Sequence, residues 1–222
     1  MAGSNYRLIK NDADCKNYVF NKINDLLSEV GILAPIEFVD HHLSHSSSAY
    51  FSSGFDSALS ISMDGEGDLL SATVNKCMKG KIEKISETTD EHSAGYLYSE
   101  VTKLCGFKVS RHEGKITGLA AYGNYLKYEN CFEKLVKVVD GKLEYVNPVK
   151  HSLQNRIIRK ILSFIGYKKF LGAAEMVRRC GNLSNEDLSA SIQRLLEKRL
   201  AEIISFWINK TGIFNVVLSG GV

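Results

Sequence analysis

Three consecutive β segments are the feature of this sequence that most constrains its fold. Residues 58–63 (ALSISM) alternate apolar and polar side chains, which is typical of a strand with one buried face. Two further β segments follow at 70–78 and 81–88, the first after a DGEGD turn at 64–68 and the second after a Lys-Gly turn. Connections this short join antiparallel neighbours, so the sequence predicts a hairpin-connected meander over 58–88.

Helical periodicity marks most of the remaining sequence. Asp12 can cap a helix that runs to about Val30, where Gly31 provides a stop signal, and residues 41–53 form a Ser- and Ala-rich helical segment with three histidines. The other predicted helices cover 94–105, 114–122, 126–139, 152–165, 168–180 and 185–211, and short β segments cover 36–39, 142–146 and 214–218. One antiparallel meander among many helices predicts an α/β fold, in which helices pack against a mixed sheet.

Composition narrows the class of protein. Hydrophobic residues make up 44% of the chain and charged residues 24%, values typical of globular proteins, which excludes a disordered or collagen-like chain. The sequence has no run of about 18 apolar residues and no apolar signal segment, so it predicts neither a membrane span nor secretion. Five cysteines without a C-x-x-C pair indicate reduced thiols, and we therefore expect a cytoplasmic protein.

Charge gives little support for nucleic-acid binding. The formal net charge is only +3, although residues 150–179 contain eight Lys or Arg residues and one acidic residue. This basic segment can serve as a docking face for an anionic partner or simply be a solvated helical face. It lacks the interleaved aromatic side chains that stack on bases, so nucleic acid is not an expected partner.

The segment DHHLSH at 40–45 carries residues typical of metal ligands. In a helix, His41 and His45 lie four residues apart on one face, where two imidazoles can converge on one ion. His42 and His45, three residues apart, can also converge, so the spacing alone does not fix the partner of His45. The simpler interpretation is a polar helix start whose histidines are solvated.

Asp64 is the candidate carboxylate for the same ion. It stands at the end of the first predicted strand and directly before Gly65-Glu66-Gly67, where glycines let backbone N–H groups approach a phosphate. With two histidines it would form a two-His-one-carboxylate set, which suits non-haem iron or another divalent metal with open positions. An ordinary Asp-Gly hairpin turn explains the same residues without any ligand.

Three further motifs place small or charged residues where backbone N–H groups can bind an anion. They are HSAGYLY at 92–98, RHEGKITGLA at 111–120 and SGG at 219–221. Plain helix caps and close helix packing are the simpler interpretation of the first two. The last motif follows a predicted buried strand, and a glycine-rich loop normally joins two elements. We therefore expect this chain to be part of a larger fold.

The order of these motifs resembles the carbamoyltransferase family, the O-carbamoylating enzymes of nodulation-factor and antibiotic tailoring. The order is HHxxH, strand-DGxG, SxGxLY, EGKxxGLA and strand-SGGV, and the resemblance covers 36–123 and 214–222 closely. The matching domain is similar to tRNA threonylcarbamoyladenosine transferases, which implies an incomplete fold of the actin-like ATPase, sugar kinase and Hsp70 type. The implied parts are a metal and nucleotide core at 36–123, a helical region at 124–212 and the start of a second nucleotide-binding subdomain at 213–222.

The resemblance also implies roles for individual residues. His41, His45 and Asp64 fall on the family's metal ligands, and the implied metal is iron. The residues implied to bind ATP or carbamoyl-adenylate are Gly65, Glu66, Ser93, Gly95, Glu113, Lys115, Gly118, Gly220 and Gly221. No residue of this sequence falls on the family's catalytic histidine, so the catalytic residue is unknown.

The implied reaction is O-carbamoyl transfer from carbamoyl phosphate, through a carbamoyl-adenylate made with ATP, to a hydroxyl of a small molecule or sugar. The family's acceptor-binding segments, a fourth metal ligand and its second domain have no counterpart here. We therefore expect this chain alone to have negligible transfer activity. Two alternatives stay open, namely N6-threonylcarbamoyl transfer to tRNA and a non-catalytic actin-like nucleotide-binding module. The histidine pair argues against the second, because actin-like ATPases hold magnesium without imidazoles.

Overall fold

The computed structural model describes residues 12–126, 132–133, 135–146 and 183–222. The chain divides into two compact units, Met1–Val39 and Asp40–Val222. Among the described residues, no helix is both long enough and apolar enough to cross a membrane.

The first unit contains helix α1 (Asp12–Glu29). Gly31 follows it at a φ of +75°, and the amide of Ile32 donates to the carbonyl of Leu27 at 2.8 Å, as at other glycine-terminated helices. This confirms the predicted stop at Gly31. The β segment predicted at 36–39 is wrong. A short apolar run becomes a strand only where a neighbour supplies hydrogen bonds, and none of the described strands pairs with it.

The second unit contains both strands and helices. In chain order its described elements are α2 (His41–Ser53), β1 (Ser57–Gly67), β2 (Leu70–Met78), β3 (Lys81–Thr89), a 3₁₀ turn (Asp90–His92), α3 (Ala94–Leu104), α4 (Glu113–Ala120), β4 (Val136–Val139), β5 (Lys142–Tyr145), α5 (Asn185–Thr211) and β6 (Val216–Ser219). The predicted helices at 41–53, 94–105 and 185–211 are confirmed within one residue, and the mixture of helices and strands confirms the predicted α/β class.

A mixed four-stranded sheet in the order β3-β2-β1-β6 forms the centre of this unit. Strands β1, β2 and β3 are antiparallel, which confirms the predicted meander. Strand β6 pairs with β1 in parallel, with Ser62 opposite Ser219. The predicted boundary at 213 stays a prediction, although β6 shares this sheet with the strands of the predicted core.

The two faces of β1 and β2 bury different side chains. On one face, Leu59, Ile61 and Met63 belong to an apolar cluster that also takes in residues of α3 and α5. On the other face, the cross-strand pairs Ser62–Thr73 and Ser60–Asn75 lie under helix α2. Both faces are covered, so the strand residues are buried on both sides of the sheet.

The helix predicted over 126–139 is wrong at its C-terminal end, where residues 136–139 form β4. Three of those four residues are valine, whose branched Cβ favours strands, and a two-residue turn at Asp140-Gly141 leads the chain back into β5. Both turn residues have positive φ, 51° and 73°, as in tight hairpins. The helices predicted at 152–165 and 168–180, and the basic segment at 150–179, lie outside the described residues.

Candidate metal centre

Two carboxylates fix the first turn of α2. Asp40 caps the helix, because its Oδ1 accepts a hydrogen bond from the backbone amide of Leu43 at 2.7 Å. Asp68, at the tip of the β1–β2 hairpin, accepts a hydrogen bond from the amide of His41 at 2.9 Å. The helix start is thereby held against the hairpin that follows β1.

Three potential ligand atoms meet between α2 and the end of β1. The Oδ2 of Asp64 lies 3.1 Å from the Nε2 of His41 and 3.1 Å from the Nε2 of His45. The two Nε2 atoms are 3.2 Å apart. The three atoms form a nearly equilateral triangle. Among the described residues, His41, His45 and Asp64 are a group that could hold a metal ion.

Protons alone satisfy this triangle poorly. If both imidazoles donate to Asp64, the two N–H groups face each other across 3.2 Å, and if only one donates, a nitrogen lone pair faces the carboxylate. A cation would accept all three lone pairs at once. Neighbouring ligands of a six-coordinate ion with bonds of about 2.1–2.2 Å lie about 3.0–3.1 Å apart, which matches the observed edges. The donor set and its spacing therefore fit a divalent metal.

The ionisation state of Asp64 also fits a metal ligand. Burial raises the pKa of its carboxyl, but hydrogen bonds from His41, from the amide of Gly65 and from His45 outweigh burial, so the pKa lies below its usual value. The Gly65 amide lies 2.6 Å from Oδ1 and so leaves Oδ2 to face the imidazoles. The side chains of His41, His45 and Asp64 remain 39%, 35% and 24% exposed, so an ion can reach them from solvent.

His42 faces away from this group, which resolves the ambiguity of the histidine spacing. It is fully buried, its Nε2 donates to the carbonyl of Leu70 at 3.2 Å, and its Nδ1 lies 2.9 Å from the hydroxyl of Ser62. Burial lowers the pKa of His42, so the ring is a neutral, hydrogen-bonded part of the core. The partner of His45 is therefore His41.

The glycine turn after β6 lies directly beside Asp64. Adjacent parallel strands end at the same edge of a sheet, and the amide of Val222 donates to the carbonyl of Met63 at 3.2 Å. Gly220 has a φ of +107°, and a Cβ there would lie 1.9 Å from that same carbonyl oxygen. A Cβ on Gly221 would lie 3.1 Å from the Oδ1 of Asp64. The structure thus brings the two glycine turns together.

The start of helix α3 forms a third wall. The Ser93 hydroxyl donates to the carbonyl of Asp64 at 3.3 Å and accepts from the amide of Tyr96 at 3.1 Å, which caps α3. Gly95 packs so closely that a Cβ there would lie 2.7 Å from the Cα of Gly65. The Cβ position of Gly65 itself faces open space, and the neighbouring Glu66 is exposed.

The structure does not join the α4 motif to the three ligand atoms. Glu113 accepts hydrogen bonds from the amide of Ser110 at 2.7 Å and the hydroxyl of Ser99 at 3.0 Å. The Lys115 ammonium lies 5.1 Å from the centre of the Phe107 ring. A Cβ on Gly118 would contact no atom within 4 Å. The nucleotide-binding role of Glu113, Lys115 and Gly118 stays a prediction.

Two residues that the sequence reasoning did not single out support the site. Gly67 lies against the ring of His41 and belongs to the DGEGD turn, whose glycines could have signalled a close approach. Tyr145 of β5 donates its hydroxyl to the carbonyl of Ser93, and its amide donates to Nδ1 of His92 at 3.1 Å. Tyr145 gave no signal, because 52 positions of sequence separate it from Ser93.

Comparison with known proteins agrees with the resemblance drawn from the motifs. The chain is 33% identical over 192 residues to the nodulation protein NolNO of Sinorhizobium fredii. The aligned region covers 84% of this chain and 25% of that protein. It is 27% identical to the nodulation protein NolO of Bradyrhizobium diazoefficiens, over 83% of this chain and 31% of that protein. An uncharacterized protein of Synechocystis is 29% identical, over 93% and 34% of the two chains.

The chain spans about a quarter to a third of the length of these relatives. One protein family, described as the carbamoyltransferase N-terminus, matches residues 9–222. The match covers nearly the whole chain and includes all the motifs that carry the resemblance. The chain belongs to the carbamoyltransferase N-terminal family.

Proposed function

We propose that this chain binds a divalent metal through His41, His45 and Asp64 and binds nucleotide phosphates at the adjoining glycine turns. Within a longer enzyme, this site would take part in O-carbamoyl transfer. The donor would be carbamoyl phosphate, the intermediate a carbamoyl-adenylate, and the acceptor a hydroxyl of a small molecule or sugar. The observation that carries the proposal is the triangle of ligand atoms with edges of 3.1–3.2 Å. The implied metal is iron, and the implied fold is of the actin-like ATPase type.

Several contacts support a phosphate site beside the metal ligands. The N-terminus of α3 carries the positive end of the helix dipole, and it packs against Gly65, whose open side gives a ligand room to approach the backbone. The hydroxyl of Ser219, directly before Gly220, is buried without a hydrogen-bond partner among the described residues. A ligand phosphate that reached this hydroxyl would supply the missing partner.

The bound ion, its three ligand residues and the backbone around Gly65 would each contribute to the reaction. A bound divalent ion would supply Lewis-acid polarisation and neutralise phosphate charge. His41, His45 and Asp64 hold that ion, and the backbone around Gly65 orients the phosphate of the mixed anhydride. The acceptor oxygen attacks the carbamoyl carbon, the bond from that carbon to the phosphate oxygen breaks, and AMP leaves. No residue of this chain is assigned as the base that takes the hydroxyl proton.

Metal binding by this chain is the direct test. The metal-free chain is equilibrated anaerobically with Fe²⁺, and separately with Mn²⁺ and Zn²⁺, and bound metal is measured by elemental analysis after dialysis. We expect about one ion per chain, because the described residues contain a single such triangle of ligand atoms. His41→Ala and Asp64→Ala should each abolish retention, whereas His112→Ala, a histidine that hydrogen-bonds the amide of Lys108 instead, should retain it.

The outcomes separate the proposal from the non-catalytic alternative. Retention of the ion by His41→Ala or Asp64→Ala would overturn the metal assignment. Nucleotide binding that needs only Mg²⁺ and is indifferent to both substitutions would favour the non-catalytic nucleotide-binding module. In the longer enzyme, the same two substitutions should abolish O-carbamoylation while leaving the protein folded.

A further inference from the structure

We propose that Gly67 is a positioning residue for His41. Because Gly67 has no side chain, the imidazole has room for the orientation that turns Nε2 toward Asp64. The inference deepens the proposed metal site and, for its functional consequence, rests on that proposal. The steric relation between Gly67 and His41 is a property of the metal-free chain and can be measured separately.

The three atoms nearest to a Cβ built on Gly67 all belong to the His41 ring. A Cβ on Gly67 would lie 2.1 Å from Cδ2, 2.3 Å from Cγ and 2.7 Å from Nε2 of His41. Carbon atoms that are not bonded do not pack closer than about 3.5 Å without repulsion. Gly67 is buried and its φ is not positive, so glycine is required here for space and not for backbone conformation. The imidazole occupies the volume that any other side chain would fill.

An irregularity in the sheet brings Gly67 to this position. The β1–β2 register runs regularly to the pair Met63–Ala72 and resumes at the pair Gly67–Leu70. Three residues of β1 therefore lie opposite the single residue Ser71 of β2, as in an extended β-bulge. Bulges bend the strand and redirect its side chains, and they occur often beside functional sites. Here the bend turns Asp64 and Gly67 toward the same helix.

The same hairpin also holds the main chain of His41. The carboxylate of Asp68 accepts the His41 amide at 2.9 Å, so adjacent residues of the hairpin contact the backbone and the ring of one histidine. On the helix, the ring of His45 lies edge-on to that of His41, with centroids 4.7 Å apart. A ring displaced from Gly67 must change rotamer, and the 3.1 Å edge between His41 and Asp64 is then lost.

The test compares Gly67→Ala with Gly114→Ala, at an exposed glycine on α4 where a Cβ would meet no atom within 4 Å. Metal affinity is measured with Co²⁺, from the intensity of its visible absorption bands during titration. We expect Gly67→Ala to weaken the affinity by about 10–100-fold, the range for losing a contact that orients a metal-bound histidine. Gly114→Ala should leave it unchanged. Wild-type affinity in Gly67→Ala would overturn the proposal.

Making Gly67→Ala in a chain that also carries His41→Ala tests whether Gly67 acts through His41. Thermal unfolding of the metal-free chain is measured for Gly67→Ala, His41→Ala and the double variant. We expect Gly67→Ala to lower the Tm in the native background but not in the His41→Ala background, because the clashing ring is then absent. An equal loss in both backgrounds would overturn the proposal.

The double variant also covers the case in which Gly67→Ala alone does not fold. Folding restored by the added His41→Ala substitution supports the positioning role, and folding that is not restored contradicts it. If His41→Ala keeps its metal, the proposed function fails, yet the metal-free unfolding result still decides whether Gly67 and His41 are in steric contact. The two failures are therefore distinguishable.

Discussion

The two faces of the β1–β2 pair show how one pair of strands can serve two purposes. The face that carries Leu59, Ile61 and Met63 packs into an apolar cluster with α3 and α5. The opposite face carries Ser60 and Ser62, and it meets α2 mainly through polar groups. The apolar face stabilises the fold through buried area, at about 1.5–3 kcal/mol for each large side chain. The polar face contributes less free energy but supplies directional contacts.

Those directional contacts lie beneath α2, the helix that carries the proposed metal ligands His41 and His45. His42 hydrogen-bonds Ser62, and the side-chain amide of Asn75 donates to the hydroxyl of Ser46 at 2.8 Å. An apolar interface tolerates small slides of one element over another, whereas paired buried polar groups lose their partners when a helix shifts. We therefore infer that the apolar face mainly determines the stability of the fold, whereas the polar face determines where His41 and His45 lie.

The largest expected effect comes from the apolar face. Ile61→Ala removes a fully buried side chain and should lower the free energy of unfolding by about 2–5 kcal/mol, measured by urea denaturation. Phe214→Ala, at a side chain that is 79% exposed, should change it little. The metal affinity of the folded Ile61→Ala chain should equal that of the native chain. A loss of affinity as large as that of His41→Ala would contradict the assigned division between the faces.

Neighbouring residues on β2 give a sharper test, because Val74 and Asn75 point to opposite faces. Asn75→Ala leaves the buried hydroxyls of Ser46 and Thr73 without their donor and should cost about 1–3 kcal/mol. Val74→Ala removes buried apolar area and should cost a similar amount. Only Asn75→Ala should also weaken metal binding, because Ser46 adjoins His45 on α2. Equal effects of both substitutions on metal affinity would contradict the inference that only the polar face positions the histidines.

A smaller effect is expected at Tyr145, which reaches the site from outside the main sheet. Burial raises the pKa of its hydroxyl, which therefore stays protonated and donates to the carbonyl of Ser93 at the start of α3. Tyr145→Phe should cost about 0.5–1.5 kcal/mol and lower the Tm by a few degrees. Nucleotide affinity, measured by calorimetry, should fall while metal affinity is kept. Tyr122→Phe, at a residue 82% exposed, is the control, and an equal fall there would argue against the role.

The sequence revealed the elements whose signals are local. Alternation over 58–63 predicted β1, and the spacing of His41 and His45 limited the ligand pairs to two. The choice between His42 and His41 depended on which ring enters the core, and that follows from Ser62 and the Leu70 carbonyl in the sheet. Spacing along one helix contains no information about those partners.

Contacts between distant segments and competing local preferences explain the remaining differences. Apolar spacing over 126–139 suggested a helix, but β-branched residues before an Asp-Gly turn favoured the β4–β5 hairpin. The contact of Tyr145 with Ser93 joins segments that no local pattern links. The same holds for Gly67, whose need for glycine is visible only once the His41 ring lies against it.

The smallest expected effect is at Glu113 of α4, a helix on the apolar side of the sheet. It tests whether polar contacts on that side affect metal affinity, as the contacts under α2 are expected to do. Burial raises the pKa of the Glu113 carboxyl, but hydrogen bonds from the Ser110 amide and the Ser99 hydroxyl outweigh it, so the pKa lies below its usual value. Such a carboxylate adds stability that is fully present above its unfolded-state pKa and is lost as the pH falls through the folded-state pKa.

Glu113→Gln should therefore destabilise the chain by about 0.5–1 kcal/mol at pH 7 and by nothing measurable once the native carboxyl is protonated. Urea denaturation at a series of pH values measures this, with Glu83→Gln, an exposed position on β3, as the control. Metal affinity should not change, because Glu113 lies on α4, whose Ile116 is buried in the apolar cluster. A fall in metal affinity would mean that the apolar side also positions the ligands.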